Sequence, residues 1–272
     1  MKKLWIILGA VFILSFAILG WVGTEIFRQA PPIPKEVVTT DGTVVIAAEQ
    51  VMDGQNVWQA MGGMQVGSIW GHGSYVAPDW TADYLHRECI FILNTWSNGE
   101  FGRNYDSASS EQQAVLRQRL QDLLRKNTYD AATGNIVVDP LRAKAFEDNL
   151  KHYSDVFANG NKDYAIQKNA QSDPAKLRSL TSFFFWTAWA SAANRPNNTI
   201  SYTSNFPSEP RVANVPTSSA IVWTGVSVIM LIAGLGAMVW FYAGWRKEAE
   251  DRDTPDTDPL IGETLTASQK AT

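Results

Sequence analysis

The sequence predicts a mainly α-helical protein: an external domain with small β-hairpins, flanked by two transmembrane helices. Three observations carry this. Long uncharged apolar stretches lie at residues 4–22 and 220–243. Between them, apolar residues recur at helical spacing within segments bounded by capping residues and glycines. Two short β-branched runs close on Asp41-Gly42 and on Thr133-Gly134-Asn135.

The first span, Leu4 to Val22, is nineteen residues with only Ser15 polar. At about 1.5 Å per residue it nearly covers a hydrocarbon core of ~30 Å. Lys2 and Lys3 precede it, as in a signal peptide, but no A-x-A-like cleavage site follows, so an uncleaved anchor is expected. The second span, Ala220 to Ala243, carries no charge. Trp223 at one end and Trp240, Tyr242 and Trp245 at the other have the placing of an interfacial aromatic belt. Lys2, Lys3, Arg246, Lys247 and Arg252 flank one side of the pair, and Arg28, Lys35 and Arg211 the other. That bias puts residues 1–3 and 244–272 in the cytoplasm and residues 23–218 outside. The Asp-, Thr- and Pro-rich tail 244–272 reads as a disordered linker.

Within the external domain, Pro31-Pro32-Ile33-Pro34 is a stiff spacer, and Val37-Val38 and Val44-Val45-Ile46 make the first hairpin. A helix is expected from Ala47 to Met61, with Val51, Gln55, Trp58 and Met61 on one face, stopped by Gly62-Gly63. A Gly- and aromatic-rich loop runs to Pro78. The next helix starts at Asp79, carries Leu85, Cys89, Ile92 and Trp96 on one face, and is expected to end at Asn98-Gly99. Ser110-Glu111-Gln112-Gln113 reads as a capping box before a stripe of Val115, Leu116, Leu120, Leu123 and Leu124. Residues 128–138 form the second hairpin. Asp139-Pro140 opens a helix that Asn159-Gly160 stops, and Ser172-Asp173-Pro174 opens the last one. That helix ends in Phe183-Phe184-Phe185-Trp186-Thr187-Ala188-Trp189, apolar almost all round. It is either domain core or a surface that docks on a membrane partner.

Composition excludes several chemistries. A formal charge of −4, with 17 basic and 20 acidic residues between 24 and 218, leaves no basic footprint for nucleic acid. One cysteine forbids an intrachain disulfide and a Cys-x-x-Cys-His haem attachment. Neither a Gly-x-Ser-x-Gly elbow nor a phosphate-binding loop is present, and Gly71-His72-Gly73 is too short for the latter. His86 and Cys89, at i and i+3, form a candidate zinc pair with only His72 and Asp83 near in sequence. The alternative is that Cys89 is a small core residue and His86, Arg87 and Glu88 make polar contacts at the domain edge. Asp79 and Asp83 form a candidate carboxylate pair that serves the helix dipole equally well. The segment Trp70 to Trp80 is either a tight turn or a backbone that points carbonyls at a hard cation.

Gly54-Gln55-Asn56-Val57-Trp58 and the run Gly67 to Glu88, through Trp70-Gly71-His72-Gly73-Ser74-Tyr75-Val76-Ala77-Pro78-Asp79-Trp80, resemble the amino-terminal region of quinol-dependent nitric oxide reductases. So do Phe184-Phe185-Trp186-Thr187-Ala188-Trp189-Ala190, Asn194-Arg195-Pro196 and Ser201-Tyr202-Thr203. The resemblance implies a cytochrome c-like external domain lacking haem, similar to the cytochrome c subunit of the cytochrome-dependent enzymes. That subunit carries Cys-x-x-Cys-His, three residues, then Gly-Glu-Gly-Ala-Tyr-x-Ala-Pro-Glu. Aligning on Gly71-His72-Gly73-Ser74-Tyr75 places the lost motif at Gly63-Met64-Gln65-Val66-Gly67, without either cysteine or the axial histidine. No methionine lies between Met64 and Met230 to serve as a distal ligand. In the cytochrome-type enzymes a calcium bridges the subunits through this loop. The positions that carry it over are Gly73 and Tyr75, with His72 in place of the family's glutamate.

The resemblance further implies a non-catalytic module of an enzyme that turns two nitric oxide molecules into nitrous oxide and water with quinol electrons. It would sit in the bacterial inner membrane with its main domain periplasmic, docked on a haem-copper-oxidase-like part of about a dozen helices. Haem b, haem b3 and non-haem iron belong to that part, and no cofactor is expected in this chain. As a split subunit, a truncated frame or an excerpt, the chain is expected not to reduce nitric oxide alone. A membrane-tethered sensor or scaffold and a zinc-dependent periplasmic hydrolase are the alternatives.

Overall fold

Three aspartates set where long helices begin. Asp79 accepts the backbone N–H of Ala82, Asp139 that of Leu141 and Asp173 that of Ala175, at 3.0, 2.8 and 2.9 Å. Each satisfies a donor that the first helical turn leaves free. After Asp139 and Asp173 comes a proline, whose missing N–H is one of those free donors anyway.

The computed structural model describes residues 2–74, 76–253, 262–264 and 266. In chain order the elements are α1 (Lys2–Gln29), β1 (Val37–Thr39), β2 (Val44–Ile46), α2 (Gln50–Ala60), α3 (Trp80–Phe101), α4 (Ser110–Arg125), β3 (Tyr129–Asp130), β4 (Asn135–Val138), α5 (Pro140–Asn159), α6 (Pro174–Ala192) and α7 (Ser218–Asp253). The chain divides into two compact units, Met1–Thr217 and Ser218–Thr272. α1 and the stretch Ser218–Lys247 of α7 are long and apolar enough to cross a membrane.

In the first unit α6 is the central helix. Every residue from Leu180 to Ala192 is buried, with α2, α3 and α5 packed around it. The aromatic run 183–189 is therefore core of this chain. The alternative, that it forms a docking surface, is overturned because no face of it is free. α2 lies closest: a Cβ on Gly54 would stand 1.9 Å from the Ser179 carbonyl oxygen, so only glycine lets the two backbones meet. The two hairpins join into one sheet of order β2-β1-β4-β3, in which β1 and β4 run parallel, pairing Val37 with Ile136 and Thr39 with Val138.

Several expected boundaries move. Glu49 takes a left-handed φ of 68°, so α2 begins at Gln50 instead of Ala47. α3 passes through Asn98-Gly99 and stops at Gly102, the residue that takes the left-handed conformation. The capping box is Ser109 with Gln112, one residue before the expected pair. Val115 is 64% exposed, while Leu116, Leu120 and Leu124 line the buried stripe of α4. α7 continues through Asp253, so residues 244–253 are helical where a disordered linker was expected. Residues 254–261, 265 and 267–272 of the expected disordered tail lie outside the described residues.

Candidate functional site

The segment between α2 and α3 is built by glycine backbones and one carboxylate. Met61 caps α2, and Gly62 turns the chain at φ 122° into a short 3-10 turn over Gly63–Val66. Gly67 and Gly73 take φ of 135° and 149°. A Cβ on Gly73 would stand 2.8 Å from Ser68 Cα and 3.0 Å from the Gly67 and Met64 carbonyl oxygens. Asp79 ties the loop down: its Oδ2 accepts Gly71 N–H at 2.6 Å and Ser68 Oγ–H at 2.8 Å, while Oδ1 caps α3. Backbone bonds from Ser68 N to Pro78 O and from Trp80 N to Ser68 O close its two ends.

Trp80 fills the interior side of this segment. Its Nε1 donates to Val66 O at 3.0 Å. Its ring lies parallel to Phe184 at 5.2 Å and 9°, with Phe157, Tyr153 and Tyr164 at 5.2, 6.0 and 5.9 Å. A Cβ on Gly67 would stand 2.2 Å from Trp80 Nε1, so position 67 admits no side chain while the indole is there. At the same loop, Trp70 donates from Nε1 to Thr187 O at 3.0 Å and meets Trp186 at 5.5 Å. Trp186 in turn donates to Pro32 O at 2.9 Å. The loop is thus packed beside the point where the chain leaves α1.

Residues 34–208 match the family model for the NorB cytochrome c-like domain of nitric oxide reductase. The chain belongs to that family. No curated protein matches it.

In a cytochrome c-like domain the implied cofactor is a c-type haem, and the residues here do not fit one. Gly63-Met64-Gln65-Val66-Gly67 offers neither thiol nor imidazole. The Trp80 indole lies directly against that segment, with Nε1 on Val66 O at 3.0 Å and 2.2 Å from where a Gly67 Cβ would stand. This nitric oxide reductase domain keeps the scaffold with an aromatic interior at that place, as fold and function are separable.

The structure separates the other sequence candidates. Gly73 sits in the tight loop; Tyr75 lies outside the described residues. His72 is exposed and exchanges two backbone hydrogen bonds with Ile69. His86 Nδ1 is 2.8 Å from Glu209 Oε2, while Cys89 is fully buried, and burial pushes its thiol well above the ordinary value. Among the described residues, no group of three or more His, Cys, Asp or Glu could hold a metal ion. Asp79 and Asp83 also go separate ways. Asp83 accepts Tyr164 Oη–H at 2.6 Å, Tyr153 Oη–H at 2.9 Å and Arg87 Nε–H at 3.1 Å, and so serves as an ion-pair and hydrogen-bond centre.

Sequence reasoning missed three polar assemblies. Glu88, expected at the domain edge, is instead fully buried and forms an ion pair with Arg142 in the interior. Asp83 gathers two tyrosines from 70 and 81 residues away. Arg125 holds the return segment to α7: its guanidinium donates to the carbonyls of Thr199, Val212 and Ala213 and to the side chains of Asn194 and Asn205. An arginine in the last turn of an amphipathic helix was the one available signal, and it does not name the partners.

Proposed function

We propose that this chain is the haem-free, non-catalytic module of a quinol-dependent nitric oxide reductase, docked on the catalytic membrane part. The observation that carries this reading is Trp80 against residues 63–67. A soluble electron donor needs an external haem relay, whereas a quinol dissolved in the bilayer delivers electrons within the membrane and needs none. The whole enzyme would take two electrons and two protons to turn two nitric oxide molecules into nitrous oxide and water. Haem b, haem b3 and non-haem iron would lie in the catalytic part.

The same reading puts the chain in a bacterial inner membrane, spanning at 4–22 and 220–243, with residues 23–218 periplasmic and both termini cytoplasmic. The excess of Lys and Arg beside Leu4 and Ala243 supports that orientation. Trp186 on Pro32 and Arg195 on Gln29 support a domain held close to the outer end of α1. Calcium held by oxygens of Gly73 and Tyr75 belongs to this reading as a bridge to the catalytic part.

Affinity purification of the tagged full chain from its own membranes tests the proposal. Recovery of a b-haem membrane part that consumes nitric oxide with a quinol is expected. Recovery of the chain without any haem-bearing membrane partner contradicts it.

A further inference from the structure

Asp83 gathers donors from three parts of the chain. Tyr164 Oη–H reaches Oδ1 at 2.6 Å, while Tyr153 Oη–H and Arg87 Nε–H reach Oδ2 at 2.9 and 3.1 Å. Arg87 also donates from Nη2 to the Tyr164 oxygen at 3.1 Å. Hydrogen bonds to a carboxylate are short and strong, so they hold the phenols in register with it. Burial first, and then the Asp83 carboxylate, hold both phenols above their ordinary value, so each keeps its proton at rest.

Trp80 touches both tyrosines edge-on, with ring centres 6.0 Å from Tyr153 and 5.9 Å from Tyr164. Tryptophan and tyrosine are the side chains here that give up an electron most readily. They differ in where the proton can then go. Trp80 Nε1 donates to Val66 O, a neutral carbonyl that does not take the proton. Tyr164 donates to a carboxylate that does, at the distance a proton acceptor needs. Tyr164 is also the accessible phenol of the two. It is partly exposed and lines a surface cavity of about 650 Å³ with His86, Arg87, Phe91 and Asn94, whereas Tyr153 is fully buried.

We propose that Tyr164 is a redox-active tyrosine with Asp83 as its proton acceptor. A one-electron oxidant of the nitrogen dioxide class, entering the cavity, takes one electron from Tyr164 and leaves as nitrite. The Tyr164 hydroxyl proton crosses its hydrogen bond to Asp83 Oδ1. The products are a neutral tyrosyl radical, a protonated Asp83 and the reduced oxidant. The site is independent of whether the domain docks on a catalytic part.

Nitrogen dioxide generated around the full chain in detergent tests it. One molecule makes the radical, and a second adds to the ring, which then loses a ring proton to give 3-nitrotyrosine. Peptide mass spectrometry is expected to find the nitro group on Tyr164 at several-fold the level on Tyr129 or Tyr202, which are also partly exposed. In Asp83→Asn that excess is expected to vanish, because an amide accepts the hydrogen bond but not the proton, while nitration of Tyr129 and Tyr202 stays unchanged. Nitration of Tyr164 no greater than theirs in the wild type overturns the proposal, as does an unchanged excess in a folded Asp83→Asn. If that variant does not fold, freeze-quench electron paramagnetic resonance of the oxidised full chain decides. A tyrosyl signal largely lost in Tyr164→Phe is expected, and one that survives in full overturns the proposal.

Discussion

Arg142 closes on Glu88 with two hydrogen bonds in the buried interior, Nε to Oε1 at 2.7 Å and Nη2 to Oε2 at 3.2 Å. The guanidinium also lies 5.3 Å from the centre of the Phe185 ring. Breaking such a pair leaves one charge buried without compensation, at a cost of about 3–5 kcal/mol, whereas replacing both partners by apolar residues of similar volume is often neutral. Glu88→Ala is expected to lower the stability of the full chain in urea titration by that order. A Glu88→Leu, Arg142→Met double variant is expected to recover most of it.

Gly54 and Gly99 both lie inside helices and are expected to respond oppositely to alanine. At Gly54 the new methyl meets the α6 backbone at Ser179, so α2 must move off the core. At Gly99 nothing lies within 4 Å, and removing a glycine from an exposed helix interior stabilises by roughly 0.5–1 kcal/mol. Melting of the two variants is expected to shift down for Gly54→Ala and up for Gly99→Ala.

Burial, and then the nearby Arg87 guanidinium, hold the His152 imidazole below its ordinary value of 6.5. The unfolded chain therefore binds this proton more readily than the folded one. Stability is full above the unfolded value and falls as pH drops below it toward the folded value. The melting temperature is expected to decline between about pH 7 and about pH 5, and to decline less in His152→Gln.

Arg125 reaches five acceptors spread from Asn194 to Ala213, which a planar guanidinium can do and an ammonium cannot. In Arg125→Lys, hydrogen exchange is expected to speed up across residues 194–214 and to stay unchanged in α5.

The helical part of the fold was legible because its signals are local. Asp79, Asp139 and Asp173 start helices where a capping aspartate says they should, and 3.6-residue spacing picks out Leu85, Cys89 and Ile92 as buried. Local signals fail where two residues offer the same chemistry. Ser109 and Ser110, with Gln112 and Gln113, make two equivalent capping boxes in sequence. The protein uses the first, and Gln113 reaches back to the carbonyls of Tyr105, Asp106 and Ala108. Gly99 failed as a stop because its helix penalty of about 1 kcal/mol is smaller than the packing that continues α3 past it. The β1–β4 pairing and the Glu88–Arg142 pair join residues far apart in the chain, and no periodicity encodes them. At the candidate site, the Gly71–Asp79 loop was legible as unusual. That Trp80 lies against residues 63–67 required the three-dimensional contacts.

The central claim is a cytochrome c-like scaffold whose interior is tryptophan where a porphyrin would be. Its most direct test is extraction of the purified full chain with acidified acetone after expression in cells that mature c-type cytochromes. The account predicts that no porphyrin stays with the polypeptide. A porphyrin absorption band that remains bound to the extracted chain contradicts it.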